Sequence, residues 1–187
     1  MGLIGAGAGA RAALARMLIR RVIGPLANGP DVRFVFENRS DPAAFGLGPD
    51  DAAKVTILGG AGVDPARYPV APLPPQPPLK LAMIARMLWS KGVDVAVEAV
   101  TRARAAGADV TLSLYGAPDA ENPRAVPLGT LEAWARRPGV AWHGRTDDIP
   151  GVWRGHHLAI QPSRGGEGLP RTLLEAASCG RAILTTD

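Results

Sequence analysis

From residue 79 onward the sequence alternates continuously apolar segments with segments of helical periodicity, and this alternation constrains the fold more than any other feature. A strand that is apolar along its whole length is buried on both faces, which is typical of a parallel sheet covered by helices on both sides. The sequence therefore predicts an α/β domain with right-handed crossovers. Strands are predicted at 80–85, 109–116, 140–144, 157–163 and 181–186. Helices are predicted from about Lys91 and at 131–137 and 170–180, with a broken helical turn at 147–155.

A proline-rich run, YPVAPLPPQPPLK at 68–80, separates this region from the first part of the chain. Proline at this density continues neither a sheet nor a helix, and it gives a semi-rigid extended spacer. We therefore predict a linker at 71–78 between a first part, 1–70, and a domain at 79–187. Because the last predicted strand has no covering helix after it, we expect that domain to be incomplete.

The first part carries weaker signals. Residues 10–27 place Leu14, Met17, Leu18 and Val22 at helical spacing. Such a helix either packs this apolar face on a core, which we favour, or lies on a membrane surface. Short buried strands are predicted at 32–38 and 54–60.

Composition narrows the classes of function. Basic residues outnumber acidic ones 21 to 17, and this balance suits a phosphate-bearing ligand or an anionic membrane surface. The arginines are scattered and only 5% of residues are aromatic, which argues against nucleic acid. The single cysteine, Cys179, leaves no disulfide framework or cysteine-based metal cluster and favours a reducing compartment. No apolar run of about 18 residues occurs, so we predict no transmembrane helix and a cytoplasmic location.

A glycine-rich stretch near the start, GAGAGA at 5–10, almost spells the dinucleotide-binding fingerprint. That fingerprint requires a preceding strand and an acidic residue about twenty residues later. Only four residues precede the stretch, and the first acidic residue is Asp31. A loop leading into a helix is the better interpretation.

A more informative anion site is predicted at 85–92, ARMLWSKG. Arg86 leaves a strand, Ser90 can cap the following helix, and Lys91 begins it. Helix N-termini at the carboxyl edge of a parallel sheet attract phosphate, and two cations beside one suit a diphosphate. The alternative is that Arg86 pairs with a structural acid and Lys91 is solvated.

The stretch PSRGGEGLPRTLLEA, at 162–176, repeats this arrangement after another strand. Its glycines allow close approach of the backbone to a ligand, and Pro170 fits the first helical position. Glu167 and Glu175 are then on the order of 10 Å apart, whereas a retaining glycosidase needs about 5 Å between its carboxylates. They suit contacts with two hydroxyl groups of one extended ligand. The alternative is a capping box from Thr172 to Glu175, which Pro170 disfavours.

Together these elements resemble the family-4 retaining glycosyltransferases of the GT-B fold. The family signature pairs an R…KG element with E-x7-E, and this chain has RMLWSKG and EGLPRTLLE in that order. The segments GGAGVD, VFENRSD, LYGAPD and HGRTDDI resemble flanking elements of the family, although Glu37 and Arg39 replace its usual Gln and Pro. The resemblance implies a GT-B-type, Rossmann-like parallel sheet with helices on both faces, truncated at both ends. Residues 1–70 then correspond to the end of an acceptor domain, and 79–187 to a nucleotide-sugar-binding domain.

The resemblance also implies the roles of individual residues. Arg86 and Lys91 bind the diphosphate of the donor, and Glu167 contacts the transferred sugar; these three form the implied catalytic set. Glu175 binds the ribose hydroxyls. The implied donor-binding backbone comprises Gly166, Gly168, Leu169 and Pro170, with Gly144 and Arg145 in the loop at the nucleobase.

The implied activity is the transfer, with retention, of a sugar from a nucleotide-diphospho-sugar, expected to be UDP-linked. The expected acceptor is a glycan or a lipid-linked glycan in polysaccharide or lipopolysaccharide biosynthesis, with peripheral contact to the inner face of the membrane. We expect no cofactor, no metal and no nucleic acid partner, and we expect this chain to supply donor binding. The alternatives are a non-catalytic nucleotide-sugar-binding module, a GT-B sugar epimerase and, more distantly, a dinucleotide oxidoreductase.

Overall fold

The computed structural model describes residues 14, 17–18, 21–22, 25, 29, 31–39, 41–60, 62–119, 121–164 and 168–186. The chain divides into two compact units. The first comprises Met1–Ala61 with Gly166–Pro170, and the second comprises Gly62–Gly165 with Arg171–Asp187. The proline-rich linker predicted at 71–78 lies within the second unit, and the domain limits taken from the sequence stay a prediction.

The first unit contains a two-stranded parallel sheet. Its elements are β1 (Phe34–Phe36), the short helix α1 (Asp41–Ala44), a 3-10 helix (Pro49–Lys54) and β2 (Val55–Ile57). Both strands were expected, but their predicted burial is largely wrong. Phe36 is buried, whereas Val35 is 61% exposed, because successive side chains alternate across a strand and a described cluster covers only the Phe36 face.

The helix predicted at 10–27 is confirmed at the positions that the structure describes, which are helical. The predicted packing of its apolar face on a core is wrong there. Leu14, Met17, Leu18 and Val22 are all more than half exposed, since no described element covers them. The rest of this segment, including the glycine-rich stretch, lies outside the described residues.

The second unit contains the predicted parallel sheet. Its five strands lie in the order β5-β4-β3-β6-β7, and all of them are parallel. The strands are β3 (Leu79–Ile84), β4 (Val110–Tyr115), β5 (Val140–Trp142), β6 (Leu158–Gln161) and β7 (Ala182–Thr185). The helices are α2 (Val93–Ala105), α3 (Leu128–Ala135), α4 (Ile149–Gly155) and α5 (Arg171–Ser178).

Two apolar clusters show that helices cover both faces of this sheet. Leu81 and Met83 of β3 belong to a cluster with residues of α2 and α3. Ala82, between them in the strand, belongs to a second cluster with residues of α4 and α5. Since consecutive strand residues point to opposite faces, the sheet is the middle of three layers.

The strand order reverses at β3. The chain runs from β3 outward to β4 and β5, and then returns to place β6 and β7 on the other side of β3. At such a reversal the two adjoining connections leave toward opposite faces, which opens a crevice at the carboxyl ends of the strands. This crevice is where a ligand is expected.

The start of α2 differs from the prediction that Ser90 caps the helix and Lys91 begins it. Residues Trp89–Lys91 form a 3-10 turn, and α2 begins at Val93 after Gly92, which has φ +71°. A β-carbon on Gly92 would lie 1.9 Å from the carbonyl oxygen of Pro162. The motif glycine is therefore required because the backbone after β6 passes directly against it.

Two other helices also differ in detail. The helix α5 begins at Arg171, one residue after the predicted start at Pro170. The predicted broken turn at 147–155 contains a regular helix, α4, because Pro150 lies in its first turn and Asp148 accepts a 2.8 Å hydrogen bond from the Gly151 N–H.

Within the second unit, the proline-rich segment is held in place by a buried polar side chain, Arg181. The Arg181 guanidinium is 4% exposed and donates hydrogen bonds to the carbonyl oxygens of Ala71, Pro72 and His156. Several carbonyl dipoles thus compensate a charge that would be costly to bury alone. This arrangement fixes the segment that leads into β3.

Candidate functional site

A pocket of about 560 Å³ opens at the carboxyl ends of β3, β4 and β5. All of its lining residues belong to the second unit. They are Ile84, Ala85 and Arg86 at the end of β3, 115–119 at the end of β4, Arg145 and Thr146 after β5, and Thr172 on α5.

The loops that form the floor of the pocket are held together by hydrogen bonds and close backbone contacts. The Gly116 N–H donates to the carbonyl of Gly144 at 2.6 Å, and the Trp142 indole N–H donates to the carbonyl of Gly116 at 2.8 Å. Gly116 has φ +137°, and an added β-carbon would lie 1.8 Å from the carbonyl oxygen of Ala85. The loops after three neighbouring strands therefore hold fixed positions, which preorganises the pocket for a ligand.

Charged side chains give the pocket a net positive lining. Arg86 and Arg145 line it together with one carboxylate, Asp119. Arg86 pairs with Asp119 at 3.5 Å, and their side chains are 62% and 37% exposed. An ion pair this exposed contributes about 1 kcal/mol or less. The alternative interpretation of the sequence, in which Arg86 pairs with an acidic residue, is therefore met in the structure. The partner is itself a pocket residue, however, and little free energy is lost when the pair separates.

Lys91 is not among the residues that line this pocket in the described part of the chain. It ends the 3-10 turn before α2, and that turn is tied to the loop after β6 by Arg164. The Arg164 guanidinium binds both carboxylate oxygens of Asp94, at 2.8 and 2.5 Å, and donates to the Trp89 carbonyl at 2.6 Å. This hydrogen bonding lowers the pKa of the Asp94 carboxyl. Arg164, which belongs to the motif at 162–176, therefore joins that motif to the one at 85–92.

Glu175 lies inside α5 and is only 5% exposed. Its Oε1 accepts a 2.9 Å hydrogen bond from the Tyr68 hydroxyl and lies 3.1 Å from the Nε of Arg171. Burial, with a smaller contribution from Glu175, raises the pKa of Tyr68. Thr172 is within the helix and donates to Gln161. These contacts exclude the capping-box interpretation.

Glu175 nevertheless lies on the face of α5 that borders the pocket. Thr172 lines the pocket, and Glu175 follows it by three residues on the same face of α5. The carboxylate is thus one turn behind the pocket wall. Its predicted contact with ribose stays a prediction.

The remaining predicted residues fall in different places. Gly144, with φ +70°, supports the pocket floor through its carbonyl, next to Arg145. Glu167 and Gly166 lie outside the described residues. Gly168, Leu169 and Pro170 belong to the first unit, where an added β-carbon on Gly168 would lie 3.1 Å from a Glu37 carboxylate oxygen.

Sequence reasoning missed Tyr68, Asp119 and Thr172. Asp119 ends the LYGAPD segment, so its position after a strand was an available signal. Tyr68 gives no such signal, because its contact with Glu175 spans 107 residues of sequence. Within the described ranges, no cluster of three or more His, Cys, Asp or Glu residues could hold a metal ion. No helix of that same part of the chain is long and apolar enough to cross a membrane.

Comparison with known proteins gives consistent matches. Residues 78–187 match the family model described as Glycosyl transferases group 1. Over 105 residues the chain is 36% identical to the N,N'-diacetylbacillosaminyl-diphospho-undecaprenol alpha-1,3-N-acetylgalactosaminyltransferase of Campylobacter jejuni, covering 56% of this chain and 26% of that enzyme.

Solved structures show the same fold. Anabaena HepE, crystallised with UDP-glucose, superposes with a TM-score of 0.68 at 18% identity, covering 94% of this chain and 50% of HepE. WaaG, a glycosyltransferase involved in lipopolysaccharide biosynthesis, superposes with a TM-score of 0.58 at 21% identity, covering 84% of this chain and 45% of WaaG. The predicted GT-B-type sheet is confirmed, and the chain spans about a quarter to a half of the length of these relatives.

Proposed function

Because the chain belongs to the group 1 glycosyl transferases, we propose that it forms the donor site of a glycosyltransferase that uses a UDP-linked sugar. The Campylobacter relative is by name a sugar transferase acting on a diphospho-undecaprenol substrate. HepE was crystallised with UDP-glucose. These relatives support a nucleotide-sugar donor and a glycan or lipid-linked acceptor for the whole protein.

The observation that carries the proposal is the pocket at the strand reversal, with Arg86 and Arg145 on its wall. A guanidinium group offers a planar pair of N–H donors that match phosphate oxygens, and it keeps its charge at all relevant pH values. Glycosyl transfer from a UDP-sugar releases UDP, so negative charge grows on the diphosphate in the transition state. Fixed positive groups at that position lower the barrier, because they need no rearrangement when the charge develops.

The other roles rest on the family resemblance. The nucleobase lies against the rigid loop of Gly144 and Arg145, and the ribose hydroxyls bind Glu175. Lys91 supplements the charge at the diphosphate. Glu167 contacts the transferred sugar.

The reaction proceeds with retention of configuration and without a bound metal. Its acceptor is delivered at the inner face of the membrane, in the synthesis of polysaccharide or lipopolysaccharide. The backbone of Gly166, Gly168, Leu169 and Pro170 binds the sugar and phosphate groups. This part of the proposal rests on the family resemblance.

Calorimetric titration of the chain with UDP and with uridine tests the donor site. Arg86→Ala should weaken UDP binding about tenfold or more, since a hydrogen bond to a charged group contributes about 1.5–3 kcal/mol, and should leave uridine binding unchanged. Glu175→Ala should weaken both ligands. Arg102→Ala is the matched control, because Arg102 is 80% exposed on α2 and pairs with Glu98 outside the pocket.

Equal losses of UDP and uridine binding in Arg86→Ala would refute the assignment of Arg86 to the diphosphate. Turnover of a labelled UDP-sugar by the full-length protein separates a transferase from a module that only binds nucleotide sugars. Hydrolysis or transfer of the label supports the transferase. Binding without turnover, with acceptor glycans present, would favour the binding module.

A further inference from the structure

We propose that Tyr68 is a positioning residue of the donor site, whose hydroxyl holds the Glu175 carboxylate so that its second oxygen faces the ribose hydroxyls. This inference rests on the proposed function, because it takes the ribose as the ligand of Glu175. It adds a residue from the segment before β3 that the sequence motifs do not include.

The position of Tyr68 is fixed by α5 itself. The Tyr68 side chain is 2% exposed and its hydroxyl donates to Glu175 Oε1 at 2.9 Å. The hydroxyl of Ser178 donates to the Tyr68 carbonyl at 2.7 Å. Since Glu175 and Ser178 are three residues apart on one helix, α5 holds both the backbone and the hydroxyl of Tyr68. The ring has little freedom to move relative to the carboxylate.

The two oxygens of Glu175 have different surroundings. Oε1 receives both contacts, from Tyr68 and from Arg171. Oε2 accepts no hydrogen bond from the described residues. Among the described residues, the only fully enclosed side-chain nitrogen or oxygen atom without a hydrogen-bond partner is the Trp153 indole nitrogen, so Oε2 is not fully enclosed. Oε2 is therefore the atom available to a hydroxyl group of a ligand.

Tyr68 rather than Arg171 sets the direction of the carboxylate. The Arg171 side chain is 60% exposed, so water competes for its contact with Glu175 and the side chain can swing away. The Tyr68 hydroxyl is enclosed and has no such alternative. A side chain held in its binding orientation before the ligand arrives does not lose conformational freedom on binding, which strengthens binding.

A comparison of two ligands on the same protein isolates this role. The 187-residue chain and its Tyr68→Phe variant are titrated by calorimetry with UDP and with 2′,3′-dideoxy-UDP, which lacks both ribose hydroxyls. The wild type should bind UDP more tightly than it binds 2′,3′-dideoxy-UDP. Tyr68→Phe should weaken UDP binding about threefold to tenfold, as expected for a lost charge-assisted hydrogen bond acting indirectly, with dideoxy-UDP binding unchanged. Ser178→Ala, which keeps the phenol hydroxyl, should retain the preference for UDP.

The ratio of the two affinities remains informative even if the variant folds less completely, because unfolded protein lowers both apparent binding capacities alike. Equal weakening of both ligands in Tyr68→Phe would show a merely structural role and overturn the inference. Unchanged UDP binding would also overturn it. Either result leaves the proposed donor site intact, provided that Glu175→Ala still weakens UDP binding. A wild-type chain that does not distinguish the two ligands would refute the ribose role of Glu175 and this inference together.

Discussion

Replacing Gly92 with alanine should destabilise the second unit by about 2–5 kcal/mol, because two separate costs add at this position. Its φ of +71° lies in the left-handed region, where a residue with a β-carbon costs about 1–2 kcal/mol. The added β-carbon would also lie 1.9 Å from the carbonyl oxygen of Pro162. Backbone atoms must move to relieve this overlap, and such overpacking costs about 1–3 kcal/mol.

Gly107 provides the matched control, since it follows the other end of α2. It has φ +91° but no atom within 4 Å of an added β-carbon. Gly107→Ala should therefore show only the backbone cost, about 1–2 kcal/mol. Chemical denaturation of both variants measures the difference in free energy of unfolding.

The substitution at Gly92 should also affect the candidate site. Moving the backbone at Pro162 disturbs the hydrogen bond from the Arg164 N–H to the Ser90 carbonyl, which joins the two motif-bearing loops. UDP binding should then fall in Gly92→Ala and persist in Gly107→Ala. If Gly92→Ala is no more destabilising than Gly107→Ala, the close approach of these loops is refuted.

Two further predictions concern charged groups. Asp119→Asn should tighten UDP binding about threefold to tenfold, because it removes a negative charge beside Arg86 from a pocket that receives an anion; weaker binding in calorimetry would instead make Asp119 a ligand-binding group. Since Arg164 lowers the pKa of the Asp94 carboxyl in the folded chain, the pair stabilises the fold above the ordinary Asp pKa of 3.8 and loses this effect as the pH falls through the folded-state pKa. Asp94→Asn should therefore be less stable than the wild type by about 1 kcal/mol at pH 7, and denaturation at successive pH values should show the gap closing below pH 3.8. A gap that stays constant down to pH 3 would refute this.

The sheet of the second unit was predictable because the apolar character of each strand is visible within its own short segment of sequence. A segment such as 80–85 is apolar throughout, and only burial on both faces explains that pattern. The helical periodicity after Lys91 was equally clear, and Val93, Ala96, Val97 and Val100 of α2 are all buried. Two-sided burial and helical period are properties of short windows of sequence.

Features that depend on contacts between distant segments were not predictable. Gly92 is explained by the backbone of Pro162, and the environment of Glu175 by Tyr68. Neither partner lies near the residue in sequence, so no local spacing indicates it. The error at Leu14 has the same origin, because periodicity shows that a helix has an apolar face but not which element covers it.

A structure of the chain with bound UDP tests the central claim most directly. It should show the diphosphate against Arg86 in the pocket at the ends of β3 and β4, the uracil beside the loop of Gly144 and Arg145, and the ribose hydroxyls at Glu175. UDP bound elsewhere on the chain, or no bound UDP at saturating concentration, would contradict the account.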